Sequence, residues 1–132
     1  MPKKNKFTDE DCLFCNIPPV RIVLENELAY AVRDGYPVTE MHSLIIPKRH
    51  IQDYFDLTTE ELIACDQLIR SLKNEISNSD QSVNGFNIGI NSGETAGQTI
   101  FHCHIHLIPR RTGDVDNPRG GGRNVIPGMG NY

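Results

Sequence analysis

Three histidines alternate along one short segment of the chain, "HCHIH" at 102–106. They are His102, His104 and His106, and the whole sequence contains only five histidines. Imidazole can bind a metal, move protons or act as a nucleophile near neutral pH. If the segment is a strand, alternate side chains point to one face with roughly 6–7 Å between neighbours. We predict such a strand over residues 100–108, with its three imidazoles on one face and its apolar side chains on the other.

Three explanations compete for this spacing. The histidines are a chance feature of a solvent-facing strand, a three-histidine metal site, or catalytic groups. A single tetrahedral ion is hard to bind from alternate positions of one strand, because the end residues lie too far apart. A nucleophilic imidazole can attack an activated phosphorus, hold the phosphoryl fragment and pass it to water. The pattern therefore favours catalysis at phosphorus, with neighbouring groups binding the phosphate oxygens.

A second group of reactive side chains lies near the N-terminus. The segment "DCLFCNI" at 11–17 contains Cys12 and Cys15 in a C-x-x-C arrangement. This spacing occurs in redox sites and in metal sites. The surrounding sequence has no βαβ pattern, so a thioredoxin-like redox site is not favoured.

One helix and several strands are predicted to position these groups. Thr58 and Glu61 match a capping box, and apolar residues at steps of three and four follow them. These features predict one main helix at about 58–78. Alternating or short apolar runs predict strands within 21–34, 42–50 and 84–91. The order favours an α+β fold with an antiparallel sheet.

Length and charge limit the class of protein. At 132 residues the chain is expected to form a single domain, with a polar, mobile arm at 1–11 and a Gly/Pro-rich tail at 112–132. The net charge of −4 argues against a nucleic-acid polymer as the partner. No apolar run is long enough to span a membrane, and no secretory signal is recognisable. We therefore expect a cytoplasmic protein whose cysteines are thiols or metal ligands.

Two motifs carry a resemblance to a known family. "GQTIFHCHIHLIPR" at 97–110 resembles the signature of the histidine-triad family of nucleotide hydrolases and transferases, and "HSLIIPKRH" at 42–50 fits the same family upstream. The resemblance covers roughly residues 12–111. It implies a histidine-triad fold.

The resemblance also implies roles for individual residues. His104 corresponds to the nucleophile that attacks the α-phosphate and forms a nucleotidyl-histidine, while His106 and His42 correspond to groups at the phosphate oxygens. Thr99 corresponds to a residue whose hydroxyl passes a proton to the leaving atom. The residues expected to bind substrate are Asp34 at the ribose hydroxyls, Asn91, the amide of Gly97, and Gln98. Asp34 and Asn91 are also explained as turn residues, and His42 as a structural histidine.

A structural zinc ion is implied in the same way. Some branches of the family bind zinc through a Cys-x-x-Cys pair, a histidine after the "IPKRH"-like strand and the first histidine of the triad. The matching residues are Cys12, Cys15, His50 and His102. This closed ligand set is typical of structural zinc, which would pin the N-terminal arm and orient the strand that carries His104. The alternative is two buried thiols and a hydrogen-bonded His50. No organic cofactor is expected.

The substrate is narrowed by resemblance alone. The motif around the triad is similar to that of dinucleoside-polyphosphate hydrolases, such as those acting on diadenosine tetraphosphate. Two alternatives are an adenosine 5′-monophosphoramidase and a non-catalytic, zinc-stabilised nucleotide-binding module. Family members commonly form homodimers, so a homodimer is expected. The four arginines after residue 108, which are candidates for contacts with polyphosphate, are Arg110, Arg111, Arg119 and Arg123.

Overall fold

The apolar runs of the sequence pair into one five-stranded antiparallel sheet. The computed structural model describes residues 10–122 and 125–129. The strands, in chain order β1 to β5, are Ile22–Glu25, Ala29–Arg33, Ser43–Pro47, Val83–Ile90 and Ile105–Arg111. Their order across the sheet is β1-β2-β3-β5-β4, so β5 lies between β3 and β4. The single long helix, α1, spans Thr59–Ser79. The predicted α+β class, with an antiparallel sheet and one main helix, is confirmed.

The start of α1 follows from its capping box. The Thr58 hydroxyl accepts a hydrogen bond from the Glu61 amide at 3.1 Å, and the Glu61 carboxylate accepts from the Thr58 amide at 2.9 Å. Glu61 is only 4% exposed, and Arg49 donates to both of its oxygens at 2.7 and 2.9 Å. These bonds from Arg49 hold the pKa of Glu61 below its usual range. The same ion pair ties the segment before His50 to the helix.

The sheet buries a different set of side chains on each face. The larger core packs α1 against residues such as Ala31, Ile45 and Leu107. The opposite face carries a smaller core of Phe14, Tyr30, Val32, Leu44 and Ile46. The Tyr30 hydroxyl donates to the Phe14 carbonyl, which ties the N-terminal segment to this second face.

The predicted strand over 100–108 is wrong in its bounds, because β5 begins at Ile105. In the β3–β5 ladder, Ile45 pairs with Ile105, and continuing it would bring Cys103 opposite Pro47. Pro47 has no N–H to donate, so the ladder stops there. The Cys103 amide instead donates to the carbonyl of Ile51 at 2.7 Å. His106 still lies on the face opposite the larger core.

Parts of the predicted termini lie outside the described residues. They are residues 1–9 of the N-terminal arm, Arg123 and residue 124, and residues 130–132 of the tail. Residues 112–122 form turns and bends. Within the part of the chain that the structure describes, α1 and the shorter helical segments are too short or too polar to cross a bilayer.

A histidine-lined pocket beside a Cys₂His₂ cluster

A pocket of about 330 Å³ opens where the strands carry the histidines. It brings together six residues that the sequence pointed to: Asp34, Asn91, Gly97, Thr99, His104 and His106. Seven further lining residues were not predicted: Leu13, Phe14, Arg21, Gly35, Tyr36, Leu44 and Ile100. These seven come from separate segments that only the folded sheet brings to one place.

Hydrogen bonding fixes the tautomer of His104. It is 9% exposed, and its Nδ1 lies 2.8 Å from the carbonyl oxygen of His102. A carbonyl oxygen only accepts, so Nδ1 must carry the proton. In the neutral ring, Nε2 then holds a free lone pair. The Phe14 ring packs edge-on against the imidazole with centroids 4.9 Å apart, which restricts its rotation.

His106 has the opposite tautomer because a chain of donors fixes it. The Val38 amide donates to Nδ1 of His42 at 3.0 Å, so Nε2 of the neutral His42 ring carries the proton. That Nε2 lies 2.9 Å from Nδ1 of His106, which must accept. Nε2 of His106 therefore carries a proton that it can donate. Burial is the main cause that lowers the pKa of both His42 and His106, which favours the neutral rings assumed here.

Asp34 lies next to these two histidines. Its Oδ2 is 3.4 Å from Nε2 of His42 and 4.0 Å from Nδ1 of His106, and its Oδ1 accepts from the Tyr36 amide at 2.9 Å. Asp34, His42 and His106 are close enough together to hold a metal ion. However, a metal on Nε2 of His42 would move the ring proton to Nδ1, where it would face the amide proton of Val38. The donor arrangement therefore favours a hydrogen-bonded chain over a metal site.

The loop before the histidines is held by Gln98. Its side chain accepts from the Gly93 amide at 2.9 Å and donates to the carbonyls of Gln52 and Ile100, and the residue is 2% exposed. The Gly97 amide donates to the Glu94 carbonyl at 3.0 Å, and Gly97 has a φ of 95°, which favours glycine. The resemblance implied that both groups hold the phosphate or the leaving group, and this role stays a prediction. In the structure their hydrogen-bond partners are backbone groups of the loop and the carbonyl of Gln52.

The arginines that follow the triad point to a different part of the surface. Arg110 binds Asp114 and Asn87, and Arg111 binds Asp80, all through side chains. Neither arginine lines the histidine pocket. Contact of these arginines with a polyphosphate stays a prediction. Arg119 does not line the pocket either.

Cys12, Cys15, His50 and His102 meet at one point, with one donor atom of each within 4.8 Å of the others. Nδ1 of His102 is 3.3 Å from Sγ of Cys12, 3.4 Å from Sγ of Cys15 and 3.3 Å from Nδ1 of His50. Zinc–nitrogen bonds of about 2.0–2.1 Å and zinc–sulfur bonds of about 2.3 Å place tetrahedral ligands roughly 3.3–3.8 Å apart. These four donors therefore fit a zinc ion.

The tautomer of His102 supports the same ligand set. Its Nε2 lies 2.7 Å from the carbonyl oxygen of Pro47, so Nε2 donates a proton and Nδ1 presents its lone pair to the cluster. The ring is fully buried, and burial lowers the pKa of His102 to about 4. A neutral imidazole is the form that binds zinc.

The cluster and the pocket are joined through two short connections. The carbonyl of His102 holds Nδ1 of His104, while the ring of His102 belongs to the cluster. Phe14, which packs against His104, lies between Cys12 and Cys15 in the chain. The carbonyl of His102 and the ring of Phe14 thus hold the His104 ring from two sides.

Comparisons with known proteins agree with this arrangement. The model of the HIT domain matches residues 17–113. An adenylylsulfatase of Arabidopsis thaliana is 35% identical over 79% of this chain and 54% of its own length. A zinc-bound histidine triad family protein from Mycobacterium smegmatis is 35% identical, with a TM-score of 0.72 over 83% of this chain and 81% of that one. A Plasmodium falciparum diadenosine triphosphate hydrolase, solved with cyclomarin A, is 26% identical, with a TM-score of 0.71 over 89% of this chain and 76% of that one.

The family assignment rests on the sequence match and on the geometry together. The matched region contains the triad, His42 and the segment ending at His50. The five-stranded antiparallel sheet and the single main helix agree with the fold of the solved relatives. The chain belongs to the histidine-triad (HIT) family.

Proposed function

We propose that this protein hydrolyses nucleotides at the α-phosphate through a nucleotidyl-histidine intermediate. The observation that carries the proposal is the pair of opposite tautomers in one pocket. His104 presents a lone pair on Nε2, and His106 presents a proton on Nε2. A nucleophile and a hydrogen-bond donor are what displacement at a phosphate requires from neighbouring groups. The family's general nucleotide hydrolase and transferase activity agrees with this arrangement.

The reaction would proceed in two displacements. Nε2 of His104 attacks the α-phosphorus, a P–N bond forms, and the bond from phosphorus to the leaving oxygen breaks. His106 donates its Nε2 proton in a hydrogen bond to a non-bridging oxygen, whose charge grows in the transition state. The hydroxyl of Thr99, an exposed pocket residue, passes a proton to the leaving oxygen. Water then attacks the phosphorus, the P–N bond breaks and His104 leaves as a neutral imidazole, while a proton of the water returns to the Thr99 oxygen.

Asp34 is proposed to bind the ribose. Its carboxylate lines the pocket and is about 17% exposed, so it can still accept hydrogen bonds from a bound diol. It also lies 3.4 Å from the proton-bearing Nε2 of His42, which keeps that donor chain oriented. Asn91, exposed at the pocket wall beside Gly97, is proposed to contact the phosphate side of the substrate.

A dinucleoside polyphosphate is the proposed substrate, and an adenosine phosphoramidate is the alternative. Similarity to a diadenosine triphosphate hydrolase supports the first, with the second nucleotide as leaving group. Steady-state kinetics on diadenosine tetraphosphate and on adenosine 5′-phosphoramidate should give the larger kcat/KM for the former. A larger value for the phosphoramidate would favour the alternative. If neither compound is cleaved but nucleotides bind, the protein is a non-catalytic nucleotide-binding module. We expect its compartment to be the cytoplasm.

Zinc is the proposed occupant of the Cys₂His₂ cluster. The short distances among the four donor atoms and the tautomer of His102 support it, and a related protein is zinc-bound. The ligand set leaves no open position, so the ion would cross-link the N-terminal segment to the segment after β3 and to the segment before β5. Nucleophilic attack is assigned to His104 and proton transfer to Thr99, not to the ion.

A homodimer is proposed on the basis of β4, which forms one edge of the sheet. A groove of about 510 Å³ between α1 and β4 is lined partly by Ile69, Phe86 and Ile88, and Ile88 is 59% exposed. An open strand edge beside apolar side chains is suited to pairing with a second copy.

Sedimentation velocity should therefore show a dimer at micromolar concentration. Ile88→Arg should shift the protein to monomer, because it puts a charge at the proposed contact. Val23→Arg, on the opposite edge strand, is the matched control and should remain dimeric. A monomeric wild-type protein would rule this contact out.

A further inference from the structure

Arg21 is a pocket residue that the proposed chemistry at phosphorus does not use. It lines the histidine pocket, and one guanidinium nitrogen donates to the carbonyl of Arg33 at 3.1 Å. That carbonyl belongs to the peptide bond leading to Asp34. The hydrogen bond therefore holds the guanidinium next to the proposed ribose site and leaves its other N–H groups for a ligand.

The order of the strands places Arg21 away from the phosphate. Arg21 precedes β1, Asp34 follows β2, and the antiparallel pairing puts both at one end of the sheet. His106 lies on β5, which is separated from β1 by β2 and β3. Three inter-strand spacings amount to roughly 14 Å. The backbone of Arg21 is therefore about that far from the strand that carries His106, and β2, which leads to Asp34, lies between them.

A nucleotide has the same order along its length. Phosphate at the histidines and ribose at Asp34 put the base beside Arg21. The pocket also has apolar lining side chains, among them Leu13, Phe14 and Leu44, and Phe14 extends as far as the His104 ring. A Cβ at Gly35 would meet no atom within 4 Å, so the backbone leaves room there for a ring.

The need for hydrogen-bond donors decides which base fits. Arg21 and Tyr36 are the polar lining side chains that are not assigned to the phosphate, the leaving group or the ribose. A guanidinium offers two parallel donors. Guanine presents two acceptors on one edge, O6 and N7, whereas adenine presents an acceptor and an amino donor. Two donors therefore match guanine and leave the adenine amino group facing a donor.

We propose that Arg21 reads the base and makes this protein selective for 6-oxopurine nucleotides, guanine above all, over adenine nucleotides. The inference rests on the proposed function for the orientation of the nucleotide. It names the nucleoside that enters the pocket, whereas the proposed chemistry concerns only the α-phosphate.

Hydrolysis of diguanosine and diadenosine tetraphosphates provides the test. Wild-type protein should show a kcat/KM roughly 10- to 100-fold larger for the guanine compound, as expected of one bidentate contact. Arg21→Met keeps the length of the side chain but removes its donors, and should bring the ratio close to one. Arg21→Lys keeps the charge without the planar fork and should retain only part of the preference. Lys48→Met, which removes a cation that pairs with Glu25, is the matched control and should keep the full ratio.

Equilibrium binding separates this inference from the proposed function. GMP should bind more tightly than AMP to the wild type, and IMP, which keeps O6 and N7, should bind like GMP. Arg21→Met should remove these differences. If neither tetraphosphate is hydrolysed but GMP is preferred through Arg21, only the proposed function fails. Equal affinity for GMP and AMP, or a preference that survives in Arg21→Met, would overturn the inference.

Discussion

Replacing His104 with alanine should lower kcat by about 10⁴-fold or more, as expected when a covalent nucleophile is removed. His106 is the other histidine among the described residues that line the pocket, and its Nε2 carries a proton, so it has no free lone pair to attack with. KM should change less, because substrate binding is assigned to residues such as Asp34. Steady-state kinetics with the preferred dinucleoside polyphosphate measures both values.

Two further variants make this result specific to nucleophilic attack. His104→Gly leaves space for added imidazole. The imidazole should restore part of the rate by binding there and forming the P–N bond in place of the side chain. His106→Ala should reduce kcat by a smaller factor, roughly 10²- to 10³-fold, because it removes one donor to the transition state. A His104→Ala protein with unchanged kcat would show that another group attacks the phosphorus.

Loss of zinc should be the change with the largest effect on stability. The four ligands come from the N-terminal segment, from the segment after β3 and from the segment before β5, so the ion would cross-link three parts of the chain. A ligand whose free concentration is several hundred times its Kd stabilises the folded state by about 3–4 kcal/mol. Cys15→Ser should therefore lower the Tm by roughly 10 °C and leave the protein without its zinc.

A second cysteine variant separates metal loss from ordinary loss of packing. Cys65 lies on the buried face of α1, is 2% exposed and is not part of the cluster. Cys65→Ala should lose some stability but retain one zinc per chain in metal analysis. Cys15→Ser should also reduce kcat, because the ring of His102 is in the cluster and its carbonyl holds His104. A wild-type protein that contains no zinc, and whose Tm does not rise when zinc is added, would contradict the zinc assignment.

The parts of the fold that were predictable have local causes. The helix start could be read from Thr58 and Glu61 because a capping box involves residues three positions apart. The strands could be read from short apolar runs. The start of β5 could not, because it depends on Pro47, a residue on another strand whose missing N–H ends the ladder.

The candidate site shows the same division. Resemblance to the family pointed to the zinc ligands and to His42, His104 and His106, and the structure brings each set together. It did not show that the Gln98 side chain is held by backbone groups, because one of these is the carbonyl of Gln52, far from it in the chain. Arg21 had no local signal at all, since only the pairing of β1 with β2 brings it to the pocket. Phe14 was accessible to inference, because it lies between the two cysteines of the zinc motif.

The assignment of tautomers leads to a direct test of the central claim, that Nε2 of His104 forms a bond to the α-phosphorus. Wild-type protein mixed with substrate and quenched within milliseconds should be examined by intact-mass spectrometry and peptide mapping under alkaline conditions, which preserve the P–N bond. The account predicts an added mass of one nucleotidyl group, located on His104 and absent from His104→Ala. Turnover by the wild type with no adduct at any time point, or with the adduct on His106, would contradict it.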